Sequence, residues 1–319
     1  MDKQQAVFPA KTTPTIPAMR TATLNDYKQR MLHVLVHIQA NLDAPLPLDK
    51  LARQANFSPF HFHRVFKGML GESVQSHVRR LRLERAAWRL KLSRQSVTDI
   101  AFEAGYETHE AFTRAFGSAF GMPPSRYRAL NAIRADGVVV TAPSGVHYSA
   151  DAPLKQFKTR RPGDKNMQVI IKTIAPMRVA FVRHVGPYDQ CGRAWEKLCT
   201  FLGKEGLLAG VQFIGVSHDD PEVTPPDRIR YDACVTVDES FQPQGEIGVQ
   251  TIVGGDYAVT AHIGPYNRLN ETYSKLMGQW LPRHGRELRS TPCFEVYLND
   301  PESTDPKDLL TDVHVPLEP

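Results

Sequence analysis

Phe62-His63-Arg64-Val65-Phe66, closed by Gly71, and Phe112-Thr113-Arg114-Ala115-Phe116, closed by Gly121, are copies of one pattern set 50 residues apart. Each follows a similar short segment: Leu51-Ala52-x-x-Ala55-Asn56-Phe57 before the first, Ile100-Ala101-x-x-Ala104-Gly105-Tyr106 before the second. Both units read as helix, tight turn, helix. The paired Phe residues stand at i and i+4 and share the buried face, which predicts an Arg directed away from the core. An outward Arg on an anchored helix suits a DNA groove.

Between the units, Val74, Val78, Leu81, Ala86 and Leu90 recur at helical spacing among Arg79, Arg80, Arg82, Arg85 and Arg89. A long basic helix over Val74 to Leu92 is expected, spanning roughly 30 Å. That is close to the ~34 Å separating successive major grooves on one face of B-DNA. One chain could then read two grooves. Leu24 to Leu42, apolar at Met31, Leu35, Ile38 and Leu42, is read as an amphipathic scaffold helix for the first unit.

With 319 residues the chain has room for two or three cores. Its formal charge of +5 hides a division. Residues 58–134 hold 13 Lys and Arg against 6 Asp and Glu, net +7, whereas residues 167–319 hold 14 against 21, net −7. Polyanions follow the local field, so nucleic-acid binding belongs to the front half. Cys191, Cys199, Cys234 and Cys293 show no CxxC spacing and are read as buried thiols of a reducing cytoplasm. No apolar run approaches a membrane span and no signal-peptide h-region opens the chain, so a cytoplasmic protein without membrane contact is expected. Residues 1–23 are read as a disordered tail and residues 135–166, broken by Pro and Gly, as a linker between domains at 24–134 and 167–319.

The first reading helix opens at Ser58-Pro59, an N-cap hydroxyl with Pro at the first helical position. With Phe62 and Phe66 buried, His63, Arg64 and Lys67 are expected towards solvent or groove; Phe60 and His61 either touch bases or pack. Thr108 caps the second reading helix, placing His109, Glu110, Thr113 and Arg114 on the corresponding face. Arg can pair with guanine and Glu can accept from cytosine.

Ser58-Pro59-Phe60-His61-Phe62-His63-Arg64-Val65-Phe66-Lys67, the run from Ala101 through Phe116, and Gly121-Met122-Pro123-Pro124-Ser125-Arg126-Tyr127-Arg128 resemble the AraC/XylS family of bacterial transcription regulators over residues 24–130. The resemblance implies an all-α double helix-turn-helix domain that binds double-stranded DNA as a monomer. Phe60, His63 and Arg64 would enter one groove and His109, Glu110 and Arg114 the next.

A second repeat lies behind the linker. Ala180-Phe181-Val182-Arg183-His184-Val185-Gly186-Pro187-Tyr188 matches Ala258-Val259-Thr260-Ala261-His262-Ile263-Gly264-Pro265-Tyr266 at an offset of 78. A helix is expected after each, Gln190 to Leu202 and Leu269 to Leu281, with Trp195 and Tyr273 at equivalent positions. Later strands end in Asp219-Asp220-Pro221 and Asn299-Asp300-Pro301. This predicts an α+β domain of duplicated strand-helix-strand-strand units about a pseudo-two-fold, with a concave seam for a small molecule. Cys293 to Leu298 alternates Phe294 and Val296 against Glu295 and Tyr297. Gly215 aligns with Glu295, so the acid occurs once. A carboxylate among aromatic rings can attract a lipophilic cation, and desolvation raises its pKa.

With Pro226-Asp227-Arg228-x-Arg230-Tyr231-Asp232 and Leu309-x-x-Asp312-Val313-His314-Val315-Pro316, these features resemble the gyrase-inhibitor-like effector-binding domain of multidrug-responsive regulators over residues 167–318. The domain order is similar to that of the right-origin-binding type. The resemblance implies a ligand seam lined by Glu295, Tyr297, Trp195, Tyr231, Tyr188, Tyr266 and His314. Packing readings stand beside it: Tyr188 and Tyr266 behind the Gly-Pro turns, Trp195 in the helix core, Glu295 exposed beside an Arg.

No metal-ligand spacing or phosphate loop is visible, and no cofactor is expected. The leading reading is a regulator whose back domain senses a small molecule and whose front domain binds DNA, with RNA polymerase as a further partner. Two alternatives concern the back domain. It could be a small hydrolase using Glu295 beside Tyr297 as general base, although no nucleophile order is present. It could also be an acidic module that docks polymerase or gyrase.

Overall fold

The computed structural model describes residues 16–130 and 167–319. The tail before Ile16 and the expected linker lie outside the described residues. Seven helices come first: α1 (Ile16–Ala40), α2 (Leu48–Gln54), α3 (Pro59–Leu70), α4 (Val74–Leu92), α5 (Val97–Glu103), α6 (His109–Phe120) and α7 (Pro124–Ala129). Helix α1 starts at Ile16, inside the expected tail and ahead of the expected start at Leu24. Pro17 punctuates the sequence like a loop, yet it falls in the first turn, where a missing N–H costs little.

Helices α3 and α6 share one local design. Ser58 Oγ accepts from the His61 amide at 3.2 Å and Thr108 Oγ1 from the Ala111 amide at 3.1 Å. Gly71 (φ 82°) and Gly121 (φ 72°) close them in the left-handed region, where a side chain would be strained. The 19-residue α4 joins the two units. Its arginines are largely committed within the chain: Arg80 to Glu72 and Glu84, Arg85 to Asp43, Arg89 to Glu103.

Two cores fill this helical part. The second unit has its own, built from Leu83, Ala87, Leu90, Ile100, Phe112, Phe116 and Tyr127. The core of the first unit is continuous with the back half: Tyr27, Met31, Leu35, Phe62 and Phe66 belong to one buried cluster with Tyr273, Leu276, Met277, Leu281, Val313 and Val315.

The back half is an eight-stranded antiparallel sheet with helices on it. Its strands are β1 (Ile170–Ile174), β2 (Met177–Val185), β3 (Phe213–Ser217), β4 (Arg230–Thr236), β5 (Gly248–Ile252), β6 (Gly255–Ile263), β7 (Cys293–Tyr297) and β8 (Leu310–Pro316). Helix α8 (Gly192–Lys204) follows β2; α9 (Leu269–Lys275) follows β6 and continues through a π-helical turn, Leu276–Trp280, into the short α10 (Leu281–Arg283). The strand order β1-β6-β8-β7-β3-β4-β2-β5 reads the same from both ends when each strand is exchanged for the one four places away. Each unit carries a leading strand beyond those expected, and it pairs with the other unit: β1 with β6, β5 with β2. In β1 the burial shows no alternation, so no period-2 signal marked it.

Cys234 and Cys293 are buried, whereas Cys191 and Cys199 are half-buried, a correction to the expectation of four buried thiols. No described helix is long and apolar enough to cross a membrane.

Candidate ligand seam and reading helices

The two units meet at the central β3–β7 pair, where Gly215 stands directly opposite Glu295. A Cβ at Gly215 would collide with the hydroxyls of Tyr231 and Tyr297, which explains why an acid can stand on only one side. Those hydroxyls share a hydrogen bond of 2.8 Å, and Trp195 Nε1 donates to Tyr231 Oη at 3.2 Å. The Tyr297 ring makes edge contacts with Trp195 and Tyr266 at centroid distances of 5.7 and 5.2 Å, and Tyr188 meets Tyr231 at 5.8 Å. The structure thus brings six of the seven expected seam residues to one face around the β3–β7 pair.

Glu295 is 2% exposed. Tyr273 Oη donates to its Oε1 at 2.5 Å and Ser217 Oγ at 3.0 Å. Burial lifts its pKa to about 7 against the opposing pull of these two hydrogen bonds and of Arg64. A carboxyl so placed is poised between neutral and charged forms near neutrality, and an arriving cation would favour the charged form.

His314 departs from the expectation. It pairs with Phe294 and stacks on that ring at 4.4 Å, and Phe294 alternates with Glu295 along β7. Its imidazole therefore lies on the other face of the sheet. There burial pushes its pKa down to about 4.

The larger correction concerns α3. His61, His63 and Arg64 are 3, 1 and 4% exposed, and Lys67 is half-buried. Eight of the 12 residues of α3 are buried, whereas in α6 only Phe112, Phe116 and Phe120 are. Glu110 and Arg114 are exposed, as a groove-reading face requires, whereas His109 and Thr113 are half-buried and the Thr113 hydroxyl oxygen is buried. Local pattern cannot distinguish the helices; the difference is that α3 has a second partner, the α9 and π-turn segment.

That contact is close. A Cβ at Gly68 would fall on the backbone of Ser274 and Gly278, and one at Gly278 would lie 2.6 Å from Gly68 Cα. Gln279 Nε2 donates to Gly68 O at 3.2 Å. Polar groups complete it: His63 Nδ1 lies 2.9 Å from Asp220 Oδ2, Lys67 pairs with Glu222, and Asn270 Nδ2 donates to Glu222 Oε1 at 2.7 Å. The Arg64 guanidinium is sandwiched between the rings of Phe60 and Tyr273, 3.7 and 4.1 Å from their centroids. Its Nε is 3.8 Å from Asp220 Oδ2, too long for a hydrogen bond, and neither Nε nor Nη1 has an acceptor among the described residues. Burial opposes its charge, yet Asp220, Tyr273 and Cys293 together raise its pKa.

Asp220, Glu222, Ser217 and Tyr273 were absent from the expected site. Tyr273 was legible as the counterpart of Trp195. The signal for Asp220 is the doubled acid of Asp219-Asp220, where the second unit has Asn299-Asp300. Both Asp220 and Asp300 accept from the amide two residues on, but only Asp220 also has a side-chain hydrogen-bond partner from α3, His63. No described cluster of His, Cys, Asp and Glu could hold a metal ion.

Residues 167–318 match the family model of the GyrI-like small molecule binding domain, and residues 51–130 that of a helix-turn-helix domain. Among curated proteins, the transcriptional regulator Rob of Salmonella typhimurium (strain LT2) is 33% identical over 105 residues, 33% of this chain and 36% of that protein. The probable transcriptional regulator YgiV of Escherichia coli K12 is 37% identical over 33% of this chain and 67% of its own length. The transposon Tn10 TetD protein of Escherichia coli is 35% identical over 32% of this chain and 79% of its own length. The matched segment thus spans about a third of Rob and most of TetD.

Proposed function

Because the chain belongs to the AraC-type regulators that join a helix-turn-helix domain to a GyrI-like small-molecule binding domain, we propose that it is a one-component, cytoplasmic transcription regulator whose effector is a lipophilic organic cation. The observation that carries the ligand class is Glu295, a single buried carboxyl held by Tyr273 and Ser217 and surrounded by the rings of Tyr188, Trp195, Tyr231, Tyr266 and Tyr297. Ring faces and one negative charge select a flat or bulky cation over an anion or a sugar. The DNA is read by α6 through His109, Glu110, Thr113 and Arg114, and by α3 through Phe60, His61, His63, Arg64 and Lys67 once that helix is free. At promoters the protein would act through RNA polymerase.

The back domain is a binding module in this reading, not a hydrolase: Ser217 donates directly to Glu295, with no His between them to carry a proton. Calorimetric titration with tetraphenylphosphonium, a rigid lipophilic cation, tests the ligand class. Saturable binding that weakens at least tenfold in Glu295→Gln is expected; no binding of this or a quaternary ammonium dye by the wild-type chain would overturn it. Turnover of model esters abolished by Glu295→Gln would instead favour an enzyme.

A further inference from the structure

We infer that the effector domain holds the first reading helix off DNA, and that the Arg64 guanidinium is an internal cation standing where the effector would bind. The trigger rests on the cation-binding reading above; the docked state of α3 rests on the contacts alone. Apart from Phe60 of α3 itself, the groups around the guanidinium belong to the seam or its rim: Tyr273, which donates to Glu295; Cys293, two residues before Glu295 on the same strand; Tyr188; and Asp220. The chemistry offered to Arg64, a ring face and a nearby carboxylate, is what the seam offers an organic cation.

His63 and Arg64, which docking engages and buries, lie on the face expected to enter a groove, while Arg114, the counterpart of Arg64 in α6, is exposed. An α3 packed backbone to backbone through Gly68 and Gly278 cannot lie in a major groove at the same time. Arg64 is imperfectly satisfied in the docked state, with two buried nitrogens lacking acceptors among the described residues. A cation that takes its place removes that cost along with the ring contacts. Ligand and docked Arg64 therefore compete, and binding of the ligand favours a released α3 in proportion to its preference for that state.

Two measurements on the full-length chain test this. Hydrogen exchange at residues 59–70 and 109–120 is followed with and without tetraphenylphosphonium. Affinity is measured for a duplex selected from a random-sequence pool by the undocked variant Asp220→Asn/Glu222→Gln. That double variant is expected to exchange faster at 59–70 but not at 109–120, and to bind the duplex at least fivefold tighter than wild type. Tetraphenylphosphonium is expected to produce both changes in wild type. Arg64→Ala, with Arg64→Gln as a packing control, is expected to bind the cation at least tenfold more tightly because its competitor is gone. Unchanged exchange and DNA affinity in both the liganded and the doubly substituted protein would overturn the inference, as would weaker cation binding by both Arg64 variants. If tetraphenylphosphonium does not bind wild type, the ligand reading fails separately, and the double variant alone decides whether α3 is held off DNA.

Discussion

Glu295 and Arg64 are buried ionisable groups with different supports. Glu295 has two hydroxyl donors, and its folded pKa of about 7 lies above the ordinary 4.5. Between those values the folded state holds a proton that the unfolded chain has already lost, so stability falls as pH rises through this window and levels off above it. In Glu295→Gln that decline is absent. Urea unfolding should therefore show the variant gaining on wild type by about 3 kcal/mol between pH 4.5 and 8. Cation affinity of the wild type should rise across the same window, because only the carboxylate attracts the ligand; a flat profile would remove Glu295 from the binding step.

At the scale of the element, α3 and α6 show how far a local code reaches. Both carry a hydroxyl cap, paired Phe residues and a left-handed closing Gly, and both form as the pattern requires. Thr108→Ala should cost about 1 kcal/mol, read as faster exchange confined to the second core. Function separates the two helices. In ligand-free protein, Arg114→Ala should weaken binding to a selected duplex by about tenfold, within the range of a lost base contact. Arg64→Gln should not weaken that binding, because Arg64 is already withheld. Equal losses would mean that both helices read DNA in the ligand-free state.

Across the molecule, the division of charge has a use beyond attracting DNA. The basic front half meets the acidic back half in Lys67–Glu222, beside the His63–Asp220 hydrogen bond, so part of the expected DNA-binding charge is engaged internally. The first helix-turn-helix and the effector domain also share one core. Met277→Ala should cost about 2–5 kcal/mol, and hydrogen exchange should show α3 and β8 losing protection together while α6 retains its own. Independent opening of α3 and β8 would contradict the shared cluster. The sequence alone was enough to place the two helix-turn-helix units, the repeat behind them and the lone acid at Gly215's counterpart. These depend on i,i+4 spacing, caps, left-handed glycines and strand alternation, all local in range. It could not show that α3 is covered, that β1 and β5 cross between units, or that His314 faces away from Glu295. Those follow from contacts between residues far apart in the chain, such as Gly68 and Gln279, which are 211 apart. An Arg on an amphipathic helix carries the same local pattern whether water, DNA or a tyrosine ring lies above it; only the packed chain decides which.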